Sequence, residues 1–107
     1  MTTMSHKRLV LYHHTTLETA HDIHASGFKD SVGYFLNNRI WTGVWLSDMP
    51  PEHPTPGDAL LKVKVDLDDD QLARWEWARE GGSCREWLIP AKILNQCATV
   101  EQSINLP

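Results

Sequence analysis

Apolar and polar positions alternate most cleanly between Ala59 and Leu67. There Leu61, Val63, Val65 and Leu67 fall on one side and Lys62, Lys64 and Asp66 on the other, which predicts a strand with one wet face. Shorter apolar runs predict strands at Arg8 to Tyr12, Val44 to Ser47, Glu86 to Ile89 and Ala98 to Gln102. Between the first two the period lengthens. Leu17, Ala20, Ile23 and His24 recur at three-to-four spacing, which predicts a helix running to about Ser26. Thr15 with Glu18 three residues on forms a capping-box pattern at its start. Gly27 is a natural stop, with Phe28 placed to fold back as an apolar contact.

The remaining segments are less regular. Residues 29–40, with Gly33, Asn37 and Asn38, predict a loop with some local structure, in which Tyr34 and Phe35 pack or line a pocket. Met49 to Asp58 holds Pro50, Pro51, Pro54, Pro56 and Gly57 and so is neither helix nor central strand; it is placed to lie over a site. Asp68 to Asp70 is a turn or a helix start. Gln71 to Glu80 fits either period, and Trp75 and Trp77 on one face tip it to a strand from Arg74. Gly81 to Ser83 is a turn, and Pro90 to Leu94 a helical turn. Residues 1–7 read as a loose tail. Several short strands with one good helix give an α+β class.

Composition narrows the picture. With 107 residues one domain is expected, 41% apolar and 22% charged, as in ordinary folded proteins. A net charge of −4 gives no reason to expect nonspecific nucleic-acid binding. No window approaches the roughly 18 apolar residues of a membrane span, and no secretory signal is visible, so a cytoplasmic setting without membrane contact is expected. Cys84 and Cys97 set up neither a disulfide framework nor a metal spacing. Five tryptophans are many for this length, and each suits either a core or a wall against a flat ligand.

Three segments carry candidate chemistry, each an apolar run ending in polar groups: Leu11-Tyr12-His13-His14-Thr15, Gly43-Val44-Trp45-Leu46-Ser47 and Glu86-Trp87-Leu88-Ile89. Each residue also has a plainer reading. His13 suits a core, Trp45 a filler, Thr15 a helix cap, Ser47 a turn, and Glu86 a strand-end charge paired with Arg85. His21 and His24 share a helix face and with His14 suggest zinc, yet no Cys or carboxylate joins them at the usual spacing, so no metal is expected. His13-His14-Thr15 and His53-Pro54-Thr55 together resemble the paired motifs of two-histidine phosphodiesterases, but the second copy lies in the proline-rich loop.

In order and in local context the three segments resemble the motifs of the ADP-ribosyltransferase fold, in the His-Tyr-Glu branch shared by diphtheria-type toxins and poly(ADP-ribose) polymerases. The resemblance covers about residues 10–90. It departs from the branch in having Trp45 where tyrosine is usual, and Cys84, two before Glu86, where arginine-specific relatives carry Gln or Glu. It implies split antiparallel sheets with one main N-terminal helix. It also implies an NAD-dependent enzyme, with NAD as substrate, that cleaves the nicotinamide–ribose bond and passes ADP-ribose to an acceptor or to water. Glu86, His13 and Trp45 would be catalytic, and His13, His14, Thr15, Gly43, Trp45, Ser47 and Tyr34 would hold NAD. Small stand-alone members are often bacterial toxins with an antitoxin-type protein partner. The alternatives are a non-catalytic module binding NAD, ADP-ribose or a protein, and an RNA 2′-phosphotransferase-like enzyme, for which Arg8, Arg39, Arg74 and Arg85 are candidate phosphate grips.

Overall fold

The computed structural model describes residues 6–77 and 84–107. Seven strands and three helices are present among them: β1 (His6–Thr16), α1 (Leu17–Ser26), β2 (Ser31–Tyr34), β3 (Ile40–Ser47), β4 (Asp58–Asp68), α2 (Asp69–Trp75), β5 (Glu76–Trp77), β6 (Glu86–Ile89), α3 (Ala91–Cys97) and β7 (Ala98–Asn105). The strands make an antiparallel sheet in the order β5-β6-β3-β1-β4-β7, with β2 paired to β3. The class is α+β.

The alternation read in β4 builds the core. Ala59, Leu61, Val63, Val65 and Leu67 are sealed, and Leu11 of β1, Val44 and Leu46 of β3 and Trp87 and Ile89 of β6 join them on that face. The helices cover it with Ala20, Ile23, Leu72, Ala91 and Leu94. Trp87 is the one fully buried tryptophan among the described residues, and its indole N–H donates to the Leu72 carbonyl at 3.1 Å. That bond satisfies the polar handle that burying a tryptophan would otherwise orphan.

Several boundaries differ from the pattern. β1 begins at His6, inside the expected tail, and residues 1–5 lie outside those described. It also runs on to Thr16, because its ladder with β4 continues to Thr16 opposite Asp58. The helix cap is therefore Thr16, whose hydroxyl accepts from the Thr19 N–H at 3.1 Å, and Thr15 is a strand residue. Leu17 and His24 are exposed, and Ala20 and Ile23 alone are buried in α1. Gly27 ends α1 as expected, at φ +89°, with its N–H on the Ile23 carbonyl at 2.8 Å.

The segment 29–40 is more ordered than a loop. β2 pairs with the first half of β3, and Gly33 lies opposite Trp41, whose indole covers it so closely that a Cβ there would sit 2.3 Å from the ring. The glycine that looks like a turn signal is the floor under an aromatic ring. At 71–77 the helix wins over the strand as far as Trp75. Asp68 accepts from the Gln71 N–H at 2.8 Å while Gln71 reaches back to the Asp68 N–H at 3.3 Å, a reciprocal cap that starts α2. Among the described residues of that segment Glu76 and Trp77 form strand; residues 78–80 and the expected turn at 81–83 lie outside those described.

Candidate functional site

β1 and β3 meet at one registered pair, Tyr12 opposite Ser47, and part beyond it. Two hollows flank the parting. A cavity of about 270 Å³ is lined by Tyr12, His14, Trp45, Ser47, Cys84 and Glu86, with Met49 to Glu52 of the proline-rich loop and Leu60 closing it. A cleft of about 390 Å³ runs toward α1 between His13, His14, Thr15, Asp22, Lys29, Trp41 and Trp45. Trp45 and His14 border both.

Strand alternation decides who meets whom. On β1, His13 follows Leu9 and Leu11 to the helix-covered face, whereas Tyr12 and His14 turn to the other. On β3, Trp45 and Ser47 share that second face, and their partners on β6 are Leu88 and Glu86. His14, Trp45, Ser47 and Glu86 are thus brought together, and His13 is not on the Glu86 face. The His13 ring sits edge-on to Phe28, with centroids 6.2 Å apart, and its Nδ1–H donates to the Trp45 carbonyl at 2.8 Å. The ring stands in for a ladder partner where the strands have separated. Burial holds its pKa below the ordinary value of 6.5; the bond to the carbonyl raises it, and the neighbouring His14 lowers it further.

Trp45 is the hub of an aromatic cluster. Its ring centroid lies 5.5 Å from Trp41, 5.9 Å from Trp77 and 6.4 Å from Phe35, in tilted and edge-on arrangements that favour aromatic pairs. It is at once packed and half-exposed to the cavity, so filler and wall coexist.

Glu86 opens β6, half-buried. Arg85 does not take it as its ion-pair partner in the way the sequence allowed. The guanidinium makes two bonds to Glu76, at 2.9 and 2.6 Å, and lies over the Trp87 ring at 4.9 Å. That pairing lowers the Glu76 carboxyl and raises Arg85. Asp48 clamps the Arg85 backbone, accepting from its N–H at 2.9 Å and donating to its carbonyl at 3.0 Å. The residue before Glu86 is therefore fixed from two sides.

The other candidates fall as follows. Thr15 lines the cleft. Ser47 lines the cavity and donates to the Met49 carbonyl at 2.7 Å, so it both shapes the turn and faces the site. Gly43 is buried beneath Leu88 and serves packing. Tyr34 is not brought to the others: 70% exposed opposite Ile40, it is turned by alternation to the face of the hairpin away from Gly33 and Trp41, outside both hollows. Arg39 and Arg74 are exposed and line neither hollow, and Arg8 lies beside Lys64 in a separate depression.

Tyr12 and Cys84, which line the cavity, and Asp58, which holds His14, are not among the site residues the sequence suggests. Tyr12 had a usable signal, since it is two residues from His14 on a strand. Asp58 had none, because its place depends on the β1–β4 register. Among the described residues no group of three His, Cys, Asp or Glu could hold a metal, and no helix is long and apolar enough to cross a membrane. Comparison with protein families, with curated proteins and with solved structures finds no match.

Proposed function

We propose that this chain is an NAD-dependent ADP-ribosyltransferase-like enzyme that cleaves the bond between nicotinamide and ribose. The observation that supports this most is the shared cavity. It sets the carboxylate of Glu86 in one lining with an indole, Trp45, and an imidazole, His14, where β1 and β3 part, with a second carboxylate, Glu52, on the loop that closes it. Cleavage leaves positive charge on the anomeric carbon and sends the bonding electron pair to the departing nicotinamide ring. A fixed carboxylate stabilises that charge, as in glycoside cleavage. The flat face of Trp45 suits the nicotinamide ring. His13 acts through the strand, holding the Trp45 backbone in place.

A second reading, a binder without turnover, is favoured by the way Trp45 is tied into its cluster, as a wall would be. One experiment separates them. Nicotinamide release from NAD is measured for the wild type and for Glu86→Gln, with binding followed by tryptophan quenching. The enzyme reading expects release to fall about a hundredfold or more in the variant while binding persists. Binding without release in the wild type supports the binder, and absence of both overturns the NAD reading.

A further inference from the structure

We propose that His14, held by Asp58, is the general base that takes the proton from a hydroxyl acceptor, water being the simplest, in the reaction above; the inference rests on that reading. The imidazole Nε2 lies 3.0 Å from Asp58 Oδ2. The pair is set by register: His14 lies opposite Leu60 and Thr16 opposite Asp58, so His14 and Asp58 are diagonal neighbours on the Glu86 face. The supporting ladder runs along the whole of β1 and β4, from His6 opposite Asp68 to Thr16 opposite Asp58. A carboxylate on one ring nitrogen selects one neutral tautomer. Nε2–H donates to Asp58, and Nδ1 keeps the lone pair able to accept a proton.

The cavity then divides its labour between two groups. Glu86 stabilises the developing cation, and His14 accepts the proton that a neutral oxygen nucleophile must lose. The step balances. The oxygen forms its bond to the anomeric carbon with its own electron pair, the carbon–nitrogen bond breaks with its pair going to nicotinamide, and the oxygen's proton passes to His14 Nδ1. A water or a hydroxyl needs such a base; a carboxylate or thiolate acceptor does not. The acceptor class we assign is therefore a neutral protic one, of which a hydroxyl or water is the simplest, rather than a carboxylate or thiolate. His14 also borders the cleft on the α1 side, so it stands between the two hollows rather than at the rim of one.

The test uses an anionic nucleophile, which needs no deprotonation. Nicotinamide release by the full chain is measured with NAD in buffer and in sodium azide, for the wild type, His14→Gln, Asp58→Asn and Glu86→Gln. His14→Gln is expected to release nicotinamide about a hundredfold more slowly in buffer, with NAD binding retained, and to recover by about tenfold or more in azide with formation of azido-ADP-ribose. Asp58→Asn, a positioning change, should show a smaller loss with the same rescue, and Glu86→Gln should not be rescued. His14→Asn replaces His14→Gln if the latter fails to fold. Release that depends on Glu86 but is unchanged in the His14 variant, or lost without azide rescue, overturns this inference alone. No release by the wild type, with or without azide, removes the enzyme reading and this inference with it.

Discussion

At the residue scale His13 illustrates how far a sequence motif can be read. Its position at the end of an apolar run was plain, and so was the alternation that sets His14 on the opposite face. What could not be read was the parting of β1 from β3, which turns His13 into the ligand of a stranded carbonyl. This has a pH consequence. The folded pKa of His13 lies below the ordinary 6.5, so between the two values the unfolded chain binds more protons than the folded one. Stability is full above about pH 6.5 and falls as pH drops below it, by up to about 1.4 kcal/mol per unit until the folded value is passed. Urea midpoints at about pH 7.5 and 5 should show this drop. His13→Gln, whose amide can still donate to the Trp45 carbonyl, should flatten it; an equal drop in both proteins would assign it elsewhere. Gly43 makes a second residue-level case. A Cβ there would meet Leu88 Cδ1 at 3.0 Å and the Ile89 carbonyl at 3.2 Å, from a backbone at φ +142°. Gly43→Ala should lower the urea-derived stability by about 1–3 kcal/mol.

Elements with a self-contained signal were legible. β4 alternates, α1 stops at Gly27, and the Pro-rich loop is irregular. Elements decided by partners were not. α2 depended on whether Asp68 and Gln71 capped each other, and β2 on whether Trp41 would lie across Gly33. The link between α3 and the loop after α1 was equally invisible. The Asn95 side chain accepts from the Phe28 N–H at 2.7 Å and donates to the Phe28 carbonyl at 2.9 Å, imitating a strand neighbour, while Asp30 accepts from the Ala91 N–H at 2.7 Å. These bonds fix the segment carrying Gly27 to Asp30 along the cleft. Asn95→Ala removes both partners of Phe28 and should cost about 1–3 kcal/mol in chemical denaturation, with Asn95→Asp, which keeps only the acceptor, in between. Thr16→Ala should cost about 1 kcal/mol through the lost cap, whereas Thr15→Ala should leave the cap of α1 intact.

For the whole molecule, the α+β class followed from short strands and one strong helix, but the grouping of the candidate residues came from strand order. β3 lies between β6 and β1, so Glu86 of a late strand reaches the face shared by Trp45 and His14. No local pattern contains that order. Nor does one reveal that Arg85 would pair with Glu76 across the β5–β6 pair, or that Glu86 would line the cavity. The central claim is that this cavity acts on NAD through Glu86. Nicotinamide release by the wild type beside Glu86→Gln tests it most directly. The account predicts release that falls about a hundredfold or more in the variant while tryptophan quenching by NAD persists. Equal release by both proteins would contradict it.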